Sequence, residues 1–360
     1  MAFKLEIFPI SYCAKYNPAT GNWDEAWIEK DRIPFGELER MNEAKKAEIL
    51  AKRNDLGLPS VSYTSQYGMG CFEGLKAFPK KDGKTSIFRP DRNAARFFSS
   101  MEGLKMPPYP EALFVKAVAE FVRKNAALGY VPAYESAWEE DNFAGASAVY
   151  LRPFSNSEGA IGVGISTAPS VLITGTIVSS YFKGGSTKAV TTKRVRAAPN
   201  GTGSLKCASN YVISALAKRE AEDAGYMEVI YLDSEHHRFV DEGSSCNIFF
   251  RLKNGTLVTP ALGTILPGIT RASVIQLAKD EGVAVEERPI AIDEVLSDGA
   301  ECFVTGTAAG VTSVESVTHE GKEAVFNKRK PGELGERLQE RLKGIQYGTK
   351  PDTYHWNFAV

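Results

Sequence analysis

The 360-residue sequence has little histidine and cysteine, on which most zinc and disulfide-stabilised proteins depend. It has four histidines, of which His236 and His237 are adjacent, and it has no Cys-x-x-Cys pair, so we expect no metal site. Its five cysteines are scattered and odd in number, at positions 13, 71, 207, 246 and 302. This usage favours reduced thiols and a cytoplasmic location over a disulfide framework.

The chain also lacks a large net charge of either sign, and we expect no membrane segment. Its formal net charge of -1 provides no basic surface for nucleic acid or for anionic lipid. The first residues show neither the apolar core of a signal peptide nor an arginine-rich presequence. Residues 159–182 carry no charge, but Ser, Thr, Gly and Pro169 interrupt them, so we expect buried strands and a linker there. We therefore expect no nucleic-acid or membrane partner.

The length and the pattern indicate two domains of mixed structure. The sequence is 43% hydrophobic and 24% charged, as in ordinary globular proteins, and 360 residues suffice for two cores. We expect a smaller N-terminal α/β domain over residues 1–177, a linker over 178–187 and a larger C-terminal domain over 188–360. The fold class is α+β, because strands and helices do not alternate as they do in a dinucleotide-binding domain.

Several local patterns predict individual elements. Asp82-Gly83 and Asn254-Gly255 each lie between apolar runs, which predicts two β-hairpins. Apolar periodicity and capping residues predict helices that begin near Pro90, over residues 111–128, over 208–223 and near Pro267. Strands are predicted over residues 146–152, 161–173, 229–232 and 302–305.

Lys206 and Glu242 form a pair that suits pyridoxal-phosphate chemistry. Lys206 leaves a glycine-rich loop, residues 201–204, and Glu242 stands at the end of a short apolar stretch. A lysine amine can form a Schiff base with the cofactor aldehyde, and a carboxylate can keep the pyridine nitrogen protonated. Taken alone, each residue is more often a solvated surface charge, so the pair has weight only beside a phosphate site and a substrate pocket.

Two small-residue turns and one arginine could form the phosphate site. Residues 266–271 place Gly268 before the amides of Ile269 and Thr270 at a helix start, where anions bind. Thr307, in a second turn over residues 306–308, adds a hydroxyl, and Arg96 could be the cation. Each residue also has an ordinary structural role as a cap, a turn residue or an exposed helix charge, and singly that role is the more frequent one.

A further block suggests a substrate pocket with a cation in it. Residues 67–74 combine three glycines with aromatic residues five apart, which indicates backbone packed close to a ligand. Tyr150 and Arg152 share one face of a predicted strand. An inward arginine requires a carboxylate partner, and a protein carboxylate and a substrate carboxylate are equally compatible with the sequence.

In these blocks and their order, the chain resembles the branched-chain amino acid aminotransferases, which are fold type IV pyridoxal-phosphate enzymes. The resemblance rests on residues 67–78, 88–96, 150–153, 206–211, 242–247, 266–271 and 306–308. It implies a two-domain architecture like that of D-amino acid aminotransferase, and amino transfer between leucine, isoleucine or valine and 2-oxoglutarate, with glutamate and 2-oxo acids as the other reactants. It also implies a homodimer with each site at the interface of the two domains.

The resemblance assigns a role to each candidate residue. Lys206 is the Schiff-base and proton-transfer lysine, Glu242 pairs with the ring nitrogen, and Tyr211 donates to the phenolic oxygen. The phosphate ligands are Arg96, Ile269, Thr270 and Thr307. The substrate pocket is lined by Tyr67, Phe72, Tyr150, Arg152, Tyr181, Ala308 and Ala309. Residues 309–312 depart from members that carry a redox Cys-x-x-Cys there, so we expect no such thiol switch, and the cysteines within the motifs are read as packed residues.

Three alternatives stay open. D-amino acid aminotransferases and aminodeoxychorismate lyase share the cofactor and fold, but they generally lack the residue 72–78 and 150–153 blocks. A catalytically silent homologue that acts as a binding protein would have lost the lysine or the glutamate, and both are present.

Overall fold

The computed structural model describes residues 5–179 and 187–360. Tyr181 and most of the predicted linker lie outside the described residues. Up to residue 179 the elements are β1 (Ile10–Asn17), β2 (Asn22–Glu29), α1 (Phe35–Leu38), α2 (Glu43–Asn54), α3 (Tyr63–Tyr67), β3 (Leu75–Pro79), β4 (Thr85–Phe88), α4 (Pro90–Gly103), α5 (Glu111–Ala126), β5 (Ala148–Asn156) and β6 (Ser170–Val178). From residue 187 they are β7 (Lys188–Thr191), α6 (Asn210–Asp223), β8 (Glu228–Leu232), β9 (Val240–Gly243), β10 (Asn247–Leu252), β11 (Leu257–Thr259), α7 (Ile269–Asp280), β12 (Val285–Glu287), α8 (Ile292–Asp298), β13 (Gly299–Gly306), β14 (Gly310–Val314), β15 (Ser316–His319), β16 (Lys322–Val325), α9 (Glu333–Tyr347) and β17 (Asn357–Ala359).

The chain divides into two compact units. The first comprises Met1–Tyr181, Leu205–Ser209 and Ile345–Val360, and the second comprises Phe182–Ser204 and Asn210–Gly344. The predicted C-terminal domain included the lysine, whereas here the segment that carries it groups with the first unit. The reason is local pairing, because Cys207 forms an antiparallel bridge with Cys71. The exact boundaries of the predicted domains stay a prediction.

The first unit is built on one antiparallel sheet in the order β17-β4-β3-β5-β6-β1-β2. Helices α4 and α5 bury large aromatic side chains, among them Phe97, Phe114 and Phe121, in the main core cluster. Burial of each such side chain stabilises the fold by about 1.5–3 kcal/mol. The amide of buried Asn125 in α5 bonds both the N–H and the carbonyl of Ile10, which fixes this helix to β1.

The described part of the second unit forms two five-stranded sheets. Their orders are β12-β11-β10-β13-β14 and β16-β15-β7-β8-β9. Apolar residues of both sheets, such as Ile230, Ile248 and Val304, share one core cluster. Strand β9 belongs to one sheet and β10 to the other, so the short turn between them joins the two sheets.

Most predicted elements are confirmed with small shifts of their ends. Both hairpins form, as β3–β4 and β10–β11, and the four predicted helices are α4, α5, α6 and α7. The predicted strand over residues 161–173 is wrong in its first part, because β6 begins at Ser170. Ile161 and Val163 are 84% and 88% exposed, so the apolar residues that suggested a buried strand face outward instead.

Within residues 5–179 and 187–360, no helix combines the length and the apolar character that a membrane span requires. The same residues contain no group of three or more histidine, cysteine, aspartate or glutamate side chains arranged to hold a metal ion.

Candidate active site

The candidate residues fall into two groups, one in each unit. In the first unit, Lys206 lies on an extended segment that pairs with residues 70–72. The N–H of Phe72 donates to the Lys206 carbonyl at 3.1 Å, and the N–H of Ala208 donates to the Gly70 carbonyl at 2.8 Å. The backbone N–H of Lys206 donates to Ser100 Oγ of α4 at 3.0 Å. The lysine backbone is therefore fixed on both sides, and its Nζ lies 4.9 Å from the centroid of the Phe72 ring.

A buried carboxylate, Glu73, lies next to this segment. Arg96 donates through Nε and NH2 to the two Glu73 oxygens at 2.7 and 2.8 Å, and Asn93 Nδ2 donates at 2.6 Å. Burial raises the pKa of the Glu73 carboxyl, but Arg96, Lys206 and Asn93 outweigh it and hold the pKa below its ordinary value. Glu73 is thus an ionised group, which sequence reasoning included only as part of a motif.

Arg96 was predicted to bind phosphate. The structure shows that this guanidinium forms a two-pronged ion pair with Glu73, a geometry that fixes its orientation. The role of Arg96 in phosphate binding stays a prediction.

Arg152 and Tyr150 share one face of β5, as predicted. The Arg152 NH2 donates to the Tyr150 hydroxyl at 2.9 Å, and its guanidinium carbon lies 4.5 Å from the Phe72 ring centroid. Within residues 5–179 and 187–360, Arg152 forms no ion pair with a carboxylate, and its buried Nε has no hydrogen-bond partner. A buried donor without a partner carries a free-energy cost of about 1–3 kcal/mol, which an anionic ligand would remove.

Glycines in residues 67–74 allow close packing within the protein, and the predicted approach of this backbone to a ligand stays a prediction. A Cβ on Gly74 would lie 2.2 Å from the Tyr150 hydroxyl oxygen, so only glycine leaves room for this tyrosine. Gly68 ends α3 at a φ of 66°. Tyr67 precedes it and is 41% exposed.

In the second unit, Glu242 lies at the end of β9 and is 3% exposed. Arg196 NH1 donates to its Oε1, and Asn247 Nδ2 donates to its Oε2 at 3.5 Å. The Arg196 guanidinium also lies 5.6 Å from the Tyr211 ring centroid, and its Nε donates to Ser214 Oγ at 3.2 Å. Glu242 and Tyr211, which the sequence predicted as cofactor partners, are therefore contacted by the same arginine.

Asn247 connects Glu242 to both predicted phosphate turns. Its Nδ2 donates to the Leu266 carbonyl at 3.1 Å, and a Cβ on Gly268 would lie 2.0 Å from its Oδ1. It also pairs in register with Thr305, two residues before Thr307. The turn before α7 and the turn between β13 and β14 thus both lie beside the start of β10.

Three of the four phosphate candidates lie at a helix start or in a turn, and their role in phosphate binding stays a prediction. Ile269 and Thr270 begin α7, where the first amides have no carbonyl partner within the helix and the helix dipole favours an anion. Thr307, Ala308 and Ala309 form the turn between β13 and β14 and are half-buried. Tyr181 lies outside the described residues, so its predicted role has no structural description.

Sequence reasoning missed Arg196. It follows Lys193 and Arg194 in a basic run that resembles an ordinary solvated surface, and Arg194 does pair with Glu220 at the surface. The side chain of Arg196 is only 2% exposed. No sequence signal separates the two arginines, because their spacing of two would place them on the same side of an extended segment.

All five cysteines are unpaired and buried. Burial raises the pKa of the Cys71 thiol to about 12 and holds the pKa values of the Cys246 and Cys302 thiols well above the ordinary value. Such thiols react slowly, in agreement with their interpretation as packed residues.

Comparisons with known proteins identify the family. The sequence model of the family described as amino-transferase class IV matches residues 70–317. The branched-chain-amino-acid aminotransferase of Mycobacterium tuberculosis is 41% identical over 303 residues, covering 81% of this chain and 79% of that protein. A probable branched-chain-amino-acid aminotransferase of Staphylococcus aureus is 34% identical over 348 residues, covering 94% and 88%.

A solved structure agrees with these relatives. The branched-chain amino acid aminotransferase of Escherichia coli superimposes with a TM-score of 0.71 at 27% identity, over 84% of this chain and 94% of that one. The predicted fold type IV architecture and the predicted enzyme class are confirmed. The chain belongs to the class IV aminotransferase family, among its branched-chain-amino-acid aminotransferases.

Proposed function

We propose that the protein transfers amino groups reversibly between leucine, isoleucine or valine and 2-oxoglutarate, with pyridoxal 5'-phosphate as its cofactor. The observation that carries the substrate assignment lies in the first unit. Lys206 Nζ and the Arg152 guanidinium both contact the Phe72 ring, at 4.9 and 4.5 Å from its centroid. The amine that we assign to the chemistry thus lies near an apolar ring and a half-buried cation.

This arrangement suits two kinds of substrate side chain. The Phe72 ring provides apolar surface for a branched aliphatic side chain. The Arg152 Nε, which lacks a hydrogen-bond partner among the described residues, is a donor for the distal carboxylate of glutamate or 2-oxoglutarate. Tyr150 orients that guanidinium through its hydroxyl. We also assign Tyr67, Tyr181, Ala308 and Ala309 to the substrate pocket, on the resemblance to the family.

The cofactor assignment rests on the donor set. Pyridoxal 5'-phosphate, when bound, supplies an aldehyde and a ring that accepts electrons from the substrate Cα. Lys206 Nζ would be the amine that holds this aldehyde covalently, and it would carry the proton that leaves the substrate Cα. The Glu242 carboxylate would accept the proton on the ring nitrogen, and the Tyr211 hydroxyl would donate to the phenolic oxygen.

The phosphate is assigned to the start of α7 and to nearby hydroxyls. Ile269 and Thr270 would donate amides, Thr307 would donate its hydroxyl, and Arg96 would supply the positive charge. The observed proximity of both turns to Asn247 supports the first three assignments.

We further propose a homodimer located in the cytoplasm. The five unpaired cysteines suit a reducing compartment. An apolar surface of the first unit, formed by Val61, Tyr67, Ile161, Val163 and Ile165, supports self-association, because each of these side chains is at least 41% exposed. The loops that carry it are held together, since the N–H of Ala160 donates to the Val61 carbonyl at 3.2 Å.

The assay of leucine with 2-oxoglutarate tests the function. We expect glutamate to form, and we expect Lys206→Ala to abolish both glutamate formation and the visible absorbance of the bound cofactor. Persistence of that absorbance in Lys206→Ala would remove the lysine from its role.

Two other substrates separate the alternatives. Activity with D-alanine, or with aminodeoxychorismate, in the absence of activity with leucine would replace the proposed substrates but leave the cofactor assignment intact. Bound cofactor without activity on any of the three would favour a catalytically silent binding protein.

A further inference from the structure

Arg196 joins residues that the sequence treats as separate. It lies between β7 and α6, its side chain is 2% exposed, and it pairs with Glu242, whose side chain is 3% exposed. Burial penalises the ionised forms of both groups, and the pair offsets that penalty only while both partners are present and well oriented. The charge and the position of Glu242 therefore depend on this guanidinium.

The guanidinium is itself fixed from two other directions. Its Nε donates to Ser214 Oγ of α6 at 3.2 Å, and its carbon lies 5.6 Å from the ring of Tyr211, which is on the same helix. Ser214 follows Tyr211 by three residues, so both side chains lie on one face of α6. The planar Arg196 guanidinium contacts α6 on one side and the end of β9 on the other. It therefore fixes the relative position of α6 and β9.

We propose that Arg196 is a positioning residue for the cofactor ring: it keeps Glu242 ionised and oriented toward the ring nitrogen. This inference rests on the proposed role of Glu242 at that nitrogen. Arg196 NH1 and the Leu266 N–H both donate to Glu242 Oε1, and Asn247 Nδ2 donates to Oε2, so these contacts fix the orientation of the carboxylate. Loss of the guanidinium leaves the buried carboxylate to take a proton itself, and a neutral carboxyl binds a protonated ring nitrogen weakly.

The test compares two ligands on the cofactor-free protein, without any amino acid. One ligand is pyridoxal 5'-phosphate, and the other is its analogue in which carbon replaces the ring nitrogen. The parent should bind the natural cofactor more tightly, because only that ligand presents a ring nitrogen to Glu242. In Arg196→Gln we expect this preference to fall by about 10- to 100-fold while the affinity for the carbon analogue stays within about threefold.

Arg194→Gln is the matched control. Arg194 is two residues away in the same segment, but it pairs with Glu220 at the surface. This variant should keep the preference of the parent. Equal weakening of both ligands in Arg196→Gln, or no change in either, would overturn the proposal, because a merely structural arginine does not distinguish the two rings.

A second comparison covers the case in which Arg196→Gln fails to fold. Glu242→Gln/Arg196→Met removes both charges and leaves no uncompensated ion in the interior. We expect its preference to equal that of Glu242→Gln alone, because Arg196 acts through Glu242. A further loss of preference in the double variant would show that Arg196 acts independently of Glu242 and would overturn the proposal.

The binding test separates this inference from the proposed function. If leucine gives no glutamate but the ligand preference behaves as expected, the substrate assignment fails and the role of Arg196 stands. If the parent itself shows no preference between the two ligands, the assignment of Glu242 to the ring nitrogen fails and the role of Arg196 fails with it.

Discussion

The folded structure disfavours the ionised form of the Asp241 carboxyl group. Asp241 precedes Glu242 in β9, and burial together with the nearby charge of Asp233 raises its pKa from 3.8 to about 6, although Arg196 acts in the opposite direction. Because the folded protein holds this proton more tightly than the unfolded chain, the contribution of Asp241 to stability is complete below about pH 4. It is lost as the pH rises through about 6.

We therefore expect Asp241→Asn to stabilise the protein above about pH 6 by on the order of 1 kcal/mol and to have little effect near pH 4. Partial exposure of the carboxyl reduces the value from what the full pKa shift would give. Urea unfolding at several pH values measures the difference in the free energy of unfolding.

Asp223→Asn is the control for this pH dependence. Asp223 is exposed at the end of α6 beside Arg219. Its replacement should leave the slope of stability against pH between about 4 and 7 as in the parent. If Asp241→Asn shows the same slope as the parent, Asp241 is ionised at no cost in the folded protein.

At the residue level, spacing allowed the prediction of groups that lie in recognisable motifs. Lys206 follows a glycine-rich loop and Glu242 precedes a glycine- and serine-rich stretch, and this composition makes both positions recognisable. Arg196 has no such context, because a basic run alone does not reveal which guanidinium is buried. Its pairing with Glu242 joins positions 46 residues apart, and only the tertiary fold brings them together.

At the level of elements, turn chemistry and helical periodicity were sufficient where both agreed. Gly83 has a φ of 81° and Gly255 a φ of 91°, the conformation that glycine favours, so both hairpin turns were predictable. Residues 161–169 misled the prediction because a short apolar run does not distinguish a buried strand from an exposed apolar surface.

The C-terminal segment was not predicted, although it completes the first unit. Strand β17 pairs with β4, and the Tyr347 ring stacks on Phe143 at 4.8 Å and contacts Phe78 at 5.0 Å. The Tyr347 hydroxyl donates to the Ser147 carbonyl at 3.2 Å. This last contact links residues 200 positions apart, beyond the range of any local pattern.

We expect Tyr347→Ala to lower the free energy of unfolding by about 3–5 kcal/mol, because it removes a fully buried aromatic side chain. Tyr347→Phe retains the ring and should cost about 1 kcal/mol for the lost hydrogen bond. Urea unfolding followed by tryptophan fluorescence measures both values.

Phe358→Ala, at a side chain that is 41% exposed in β17, is the control and should cost less than about 1 kcal/mol. Equal effects of Tyr347→Ala and Phe358→Ala would show that the segment adds only surface contacts to the first unit.

At the scale of the whole molecule, the sequence indicated two domains but not which segments of the chain belong to each. A prediction by position assigns contiguous ranges, whereas the first unit takes up Leu205–Ser209 and Ile345–Val360 as well as the N-terminal half. Backbone pairing to Gly70 and Phe72 brings the lysine segment into that unit, and such pairing has no signature in composition.

The apolar surface that includes Val163 bears on the assembly of the whole molecule, because a second copy of the chain could bury it. Val163 is 88% exposed, and exposure of a cluster of aliphatic side chains to water is unfavourable. A symmetric dimer would bury the same surface on both copies, so one substitution would act twice. We expect the parent to elute as a dimer in light-scattering chromatography and Val163→Glu to shift it toward the monomer, because a buried unpaired carboxylate costs several kcal/mol.

The matched control is Val212→Glu, which places the same charge on a valine of α6 that is 64% exposed in the second unit. Because Val212 lies outside the apolar surface, this variant should keep the mass of the parent at every protein concentration. A dimeric Val163→Glu at low micromolar concentration would move the dimer interface elsewhere, whereas a monomeric parent would refute the proposed homodimer. Comparable thermal stability of the two variants would show that the shift in mass reflects association and not unfolding.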